Sequence, residues 1–129
     1  MKIIELDGQQ FSNLEEFYNE IERCFTKNLD WKIGRDLDAL NDVLQGGFGI
    51  HSYYEPISII WKNSIKSKID FGYTETVKYF KSKLTTCHPS NRDNVRNDLE
   101  LAVQEKGVTL FDIIIELIQE HKHIKLEFD

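Results

Sequence analysis

Gly34-Arg35-Asp36-Leu37-Asp38-Ala39-Leu40-Asn41-Asp42-Val43-Leu44-Gln45-Gly46 is the stretch from which the rest of the chain can be read. Asp36 is a good helix N-cap, because its carboxylate can accept an amide of the first turn. Leu37, Leu40, Val43 and Leu44 recur at helical spacing and form one apolar face. Asp38, Asn41, Asp42 and Gln45 fall on the opposite face, at i, i+3, i+4 and i+7. Gly46-Gly47 stops the helix. Asp38 and Asp42 are therefore one turn apart on a face with no Lys or Arg to neutralise them. Such a pair repels by about 0.2–0.5 kcal/mol, and Asp38 recovers part of this near the positive helix N-terminus.

Elements with a different period flank this helix. Lys2–Leu6 predicts a short strand, and Asp7-Gly8 a turn. Ser12 or Asn13 caps a helix over 14–26, with Leu14, Phe17, Tyr18, Ile21, Cys24 and Phe25 as its buried stripe. Glu15, Glu16, Glu20 and Glu22 lie mostly off that stripe. Residues 28–34 predict a loop, as do Gly47 to Glu55. Pro56 precedes Ile57–Trp61, a β-branched run with the character of a buried strand. Glu75–Leu84 and Asn91–Lys106 carry helical patterns. Thr109 or Val108 starts a strongly apolar helix through Ile118. His123–Phe128 alternates as a final strand. Strands separated by helical crossovers imply a parallel sheet. The expectation is an α/β fold: a small three-stranded parallel sheet with helices packed on it, in one domain over 1–129.

The composition narrows the function. A chain of 129 residues suits one core. The net charge of −6 disfavours a nucleic-acid ligand and favours basic partners. Residues 62–90 depart from that balance, with six basic and two acidic side chains. No segment approaches the ~18 apolar residues of a membrane helix, so no membrane contact is expected. Cys24 and Cys87 belong to no CxxC or Cys/His set, which suits a reducing, cytoplasmic setting. A monomer is the default.

The acidic face admits several chemistries. A solvated polar face is the plainest reading. Asp36-x-Asp38 resembles the start of a calcium loop, but Leu40 and Asn41 stand where an oxygen ligand and a glycine are needed. A hydrolase built on Asp36, Asp38 and Asp42 would need a second catalytic group, and none is visible. His51, His88, His121 and His123 lack nucleophile or ligand spacing and predict structural or surface roles. Gly46-Gly47-Phe48-Gly49 lacks the lysine of a phosphate loop and follows a helix. The lysines of 62–83 predict a solvated face. No enzyme activity, cofactor or metal is expected.

Several segments together resemble one family, that of barstar, the intracellular ribonuclease inhibitors. Gly34-x-x-Leu37-Asp38-Ala39-Leu40-x-Asp42-x-Leu44 is similar to its most characteristic stretch. Lys2–Leu14 resembles its first strand and helix start, Pro56–Trp61 its central strand, and Phe111–Phe128 its last helix and strand. Residues 62–107 look like a helical insertion. The resemblance implies a barstar-like, three-layer-like fold and a non-enzymatic inhibitor of the immunity or antitoxin type. Its acidic helix would block the basic active site of a ribonuclease or nuclease toxin. It makes Asp42 the main anchor and Asp38 its neighbour. Gly34 allows close backbone approach, and Glu116 is a further acidic contact.

Departures concern the border of that surface. Lys32 stands where the family has a contacting Tyr, and Asn41 where it has a Trp. Asp36 replaces an Asn. Gly47 falls where another Trp is expected, with Phe48 or Trp31 as the nearest substitutes. These changes point to a related or different toxin nuclease. The alternative is a barstar-like module that binds another basic protein and inhibits no nuclease.

Overall fold

The computed structural model describes residues 1–129. Three strands, β1 (Lys2–Asp7), β2 (Ile57–Lys62) and β3 (Ile124–Phe128), form a parallel sheet with β2 in the centre. Lys2 pairs with Ile57, and Ile57 with Ile124, so both ladders start level. Six helices complete the chain: α1 (Leu14–Ile21), α2 (Leu37–Gln45), α3 (Ser64–Asp70), α4 (Tyr73–Thr86), α5 (Arg92–Val103) and α6 (Leu110–Glu120). The expected mixed α/β architecture and parallel sheet are present.

Local chemistry accounts for the boundaries. Asn13, one of the two predicted caps, accepts the Glu16 amide at 2.9 Å. Beyond Ile21 the first helix widens into a π-helical turn over Glu22–Thr26. The turn keeps Cys24 and Phe25 in the core, while the Phe25 carbonyl accepts the Ile50 amide at 2.8 Å. Thr109 and Asp112 form a reciprocal capping box at the start of α6.

The main core joins the sheet, α1, α2 and α6 in a cluster of 20 buried residues. Trp61 at its centre is fully buried among Phe11, Phe17 and Phe111, and its indole N–H donates to Ser67 Oγ at 3.0 Å. Satisfying a buried indole in this way is the usual condition for placing Trp in a core. A second cluster, Phe80, Val95 and Ala102, sits between α4 and α5, and Tyr79 packs against both clusters.

Three expectations need correction. The lysine-rich stretch holds an unforeseen helix, α3, and its Lys66 is not merely solvated. The Lys66 ammonium donates to the carbonyls of Gly8 and Phe11 and pairs with Asp70 at 2.6 Å, tying α3 to the turn after β1. Glu20 was expected off the buried stripe but is 3% exposed. It accepts the Asp7 amide at 2.9 Å and pairs with Arg23 at 2.6 Å, which compensates its burial. Phe128 was expected to alternate inward but is half exposed at the chain end.

Candidate functional site

Helix α2 presents the acidic face. Asp36 caps it, accepting the Ala39 amide at 2.7 Å. Leu40, Val43 and Leu44 are buried, and Leu37 packs at the core edge. Burying each such side chain stabilises the fold by about 1.5–3 kcal/mol, which orients the opposite face outward. Asp38 and Asp42 are exposed there, and neither carboxylate joins a hydrogen bond or ion pair of the chain.

The loop before α2 is clamped by Arg35. Its guanidinium pairs with Glu22 at 2.9 Å and Glu15 at 3.2 Å, and donates to Asn19 and to the Ile33 carbonyl. Burial pushes the Glu22 carboxyl up, but the Arg35 guanidinium and the Ile33 amide outweigh it and hold Glu22 below the usual carboxylate range. Arg35 is therefore spent within the fold and does not neutralise Asp38. Gly34 is exposed, and a Cβ added there would lie 3.2 Å from the Ala39 Cβ. Lys32 is exposed in the same loop, and its charge also lowers Glu22.

The predicted surface residues do not all share one environment. Asp38, Asn41 and Glu116 line a shallow groove between α2 and α6, together with Leu37, Ile113, Leu117 and Glu120. The structure thus brings Glu116 beside Asp38. It adds Glu120, which the sequence reading missed, although the i, i+4 spacing from Glu116 was visible. Asn41 belongs only partly to the open face, because its Oδ1 lies 2.8 Å from His121 Nε2 and is engaged within the fold. Lys32 and Gly34 lie in the loop rather than on the helix. Trp31, 52% exposed, stacks on Phe48 at 5.9 Å between ring centroids. Tyr53 and Tyr54 are exposed and pack on each other with their rings tilted by 51°.

A second groove, of about 650 Å³, runs between α1, α2 and α4 and reaches Asp36, Asp38, Tyr79, Lys83 and Cys87. Asp38 therefore borders a basic helix on one side and an acidic one on the other. Cys24 is inert core: burial pushes its thiol up to about 12. His51 and His121 are buried as structural residues. No group of three or more His, Cys, Asp or Glu side chains is arranged to hold a metal ion. No helix is long and apolar enough to cross a membrane.

Comparison with protein families adds one finding. The family described as Barstar (barnase inhibitor) matches residues 1–84, which run from β1 through most of α4 and contain the whole of α2. No curated protein and no solved structure matches the chain. The family match spans well over half of the sequence and includes the acidic helix with the loop that Arg35 clamps, and on that ground the chain belongs to the barstar family.

Proposed function

We propose that the protein inhibits a ribonuclease by inserting the exposed face of α2 into a basic active site. Asp42 is the anchor and Asp38 its support, with Glu116 as a further acidic contact. Gly34, Asp36, Asn41 and Lys32 border the surface. The observation that carries this reading is that Asp38 and Asp42 are exposed on one rigid helix and are left without cationic partners by the fold. A ribonuclease site collects Lys, Arg and His to hold phosphate, so two fixed carboxylates can occupy its phosphate positions. They also steer association at long range.

In this reading residues 1–129 act as one cytoplasmic domain. Of the segment 62–107 expected as an insertion, only 85–107 lies beyond the family match and is an elaboration of the domain, and the target is a nuclease toxin. The test is a ribonuclease assay with purified barnase, and with any nuclease encoded beside this gene, with and without the protein. Inhibition should weaken by about 2–5 kcal/mol in Asp42→Ala, a range for truncated charge pairs that draws on a complex of this same family. Inhibition unchanged by Asp42→Ala would remove α2 from the interface.

The second reading, a module for another basic protein, draws on two observations. Asn41 is engaged by His121 where an open contact was expected, and the cation Lys32 is exposed beside the acidic face. Failure to inhibit either nuclease, with Asp42-dependent capture of a different basic protein, would favour it.

A further inference from the structure

His51 meets His121 and His123, about 70 positions later in sequence, at the carbonyl end of α2. His51 Nε2 lies 3.2 Å and His123 Nε2 2.9 Å from the Leu44 carbonyl oxygen. A carbonyl only accepts, so both rings carry their proton on Nε2. His121 Nε2 donates in the same sense to Asn41 Oδ1 at 2.8 Å, with the amide orientation assigned from this contact.

These contacts complete the end of the helix. The last four carbonyls of a helix have no intrahelical amide to bind. Here Gly46 N–H serves Asp42 and Val43, and Tyr54 N–H serves Gln45. Leu44 is left to the two imidazoles.

The three rings are also close to one another. The centroids of His51 and His123 are 6.4 Å apart, and those of His121 and His123 are 5.6 Å apart. His51 and His121 are 3% and 8% exposed. His51 Nδ1 is buried with no hydrogen-bond partner. Protonating it would create a buried donor without an acceptor, next to a second and a third titratable ring.

Few charges offset this. Glu55 and Lys2 act on His51 with opposite sign, and Glu120 acts on His121. The Leu44 carbonyl, at the negative end of α2, favours the charged His51 ring and is the main opposing contact, while Asn41, Phe25 and Tyr54 bring no charge. Burial, reinforced by His123, prevails and holds His51 and His121 below the usual histidine range.

We propose that these three histidines form an acid-released lock on α2. When neutral they hold the segments 46–55 and 121–123 against the helix, and when charged they free both segments from its carbonyl end. Tyr54 packs edge-on against His123 at 5.3 Å and Tyr53 packs against Tyr54, so release carries away the aromatic border of α2. Any bearing on partner release rests on α2 being the binding helix; the lock itself does not.

The sign follows from the lowered proton affinity. Neutral His51 and His121 rings favour the folded lock, so their contribution to stability is complete above the unfolded histidine value of about 6.5. It is lost as pH falls through the lower folded values.

Hydrogen exchange on the chain alone, with no partner present, tests the lock at about pH 7.5 and about pH 5.5, corrected for intrinsic rates. The reporters are the amides of Gly47, Tyr54 and Ile124, which bond to His51, Gln45 and His121 carbonyls. At the lower pH their protection should fall about tenfold or more relative to amides at the centre of β2. In His121→Gln/His123→Gln, which keeps N–H donors but removes two of the three imidazoles, the response should shrink at least about threefold.

Equal loss at sheet and loop amides in the unmodified protein would overturn the lock, as would an undiminished response in the double variant. Should that variant not fold, ring-proton NMR titration of the unmodified protein decides. Histidine titration accompanied by shifts of the Gly47 and Tyr54 signals supports the lock, and titration without such shifts overturns it.

Discussion

The two ends of α2 are held in different ways. The amino end is capped from within, Asp36 holding an amide three residues on, while Arg35 straps the preceding loop to Glu15 and Glu22 of the first helical segment, 20 and 13 residues back. The carbonyl end is closed by the loop that follows it, through Gly46, His51 and Tyr54, and by His123, which reaches Leu44 across 79 positions of sequence. The acidic face lies between them, held at one end by a cap and ion pairs and at the other by backbone amides and imidazole donors. A surface built this way is rigid where it begins and conditional where it ends.

Substitutions at the two ends should therefore differ in cost. The largest effect is expected for Leu44→Ala at the carbonyl end. Leu44 is fully buried, so the cavity should cost about 2–5 kcal/mol in denaturant unfolding. Gly46→Ala comes next. Gly46 has φ 90° and ψ −167°, a conformation essentially confined to glycine, and a Cβ there would lie 2.5 Å from the Ser52 carbonyl oxygen. The backbone strain alone should cost about 1–3 kcal/mol, read as a lower melting temperature.

At the amino end Asp36→Ala removes only the cap and should cost about 1 kcal/mol by the same measurement. A loss there equal to that of Leu44→Ala would erase the contrast between the ends. The smallest effect concerns kinetics. If the target site is basic, Lys32→Ala should raise the association rate a few-fold at low salt, and the gain should fade as ionic strength rises. Slower association in Lys32→Ala would show that Lys32 meets an acidic patch on the partner.

Much of this was legible in residues alone. Periodicity placed α2 between Asp36 and Gly46, because an apolar stripe with a cap and a glycine stop is a local pattern. The parallel sheet followed from strands separated by helices. The missed helix α3 is short, and Ile65 and Ile69, four positions apart, are both exposed on it. Its apolar pattern therefore points away from the core, and its placement depends on Lys66 and Ser67 reaching other elements. Glu20 was misread because the ion pair and amide that permit its burial come from Arg23 and Asp7.

The candidate site divides along the same line. Local sequence determined that Asp38 and Asp42 share a face, since helical geometry alone sets that relation. Which neighbours border them was decided by the fold. Glu116 and Glu120 approach from α6, Lys83 from α4, and Asn41 is drawn into a bond with His121. The three histidines show this most plainly. As sequence they lack any spacing that suggests joint action. They meet because the loop after α2 folds back on its last turn, and because the third strand starts beside that turn. Short-range periodicity thus determined which residues α2 presents, and long-range packing decided what holds the helix and what surrounds it.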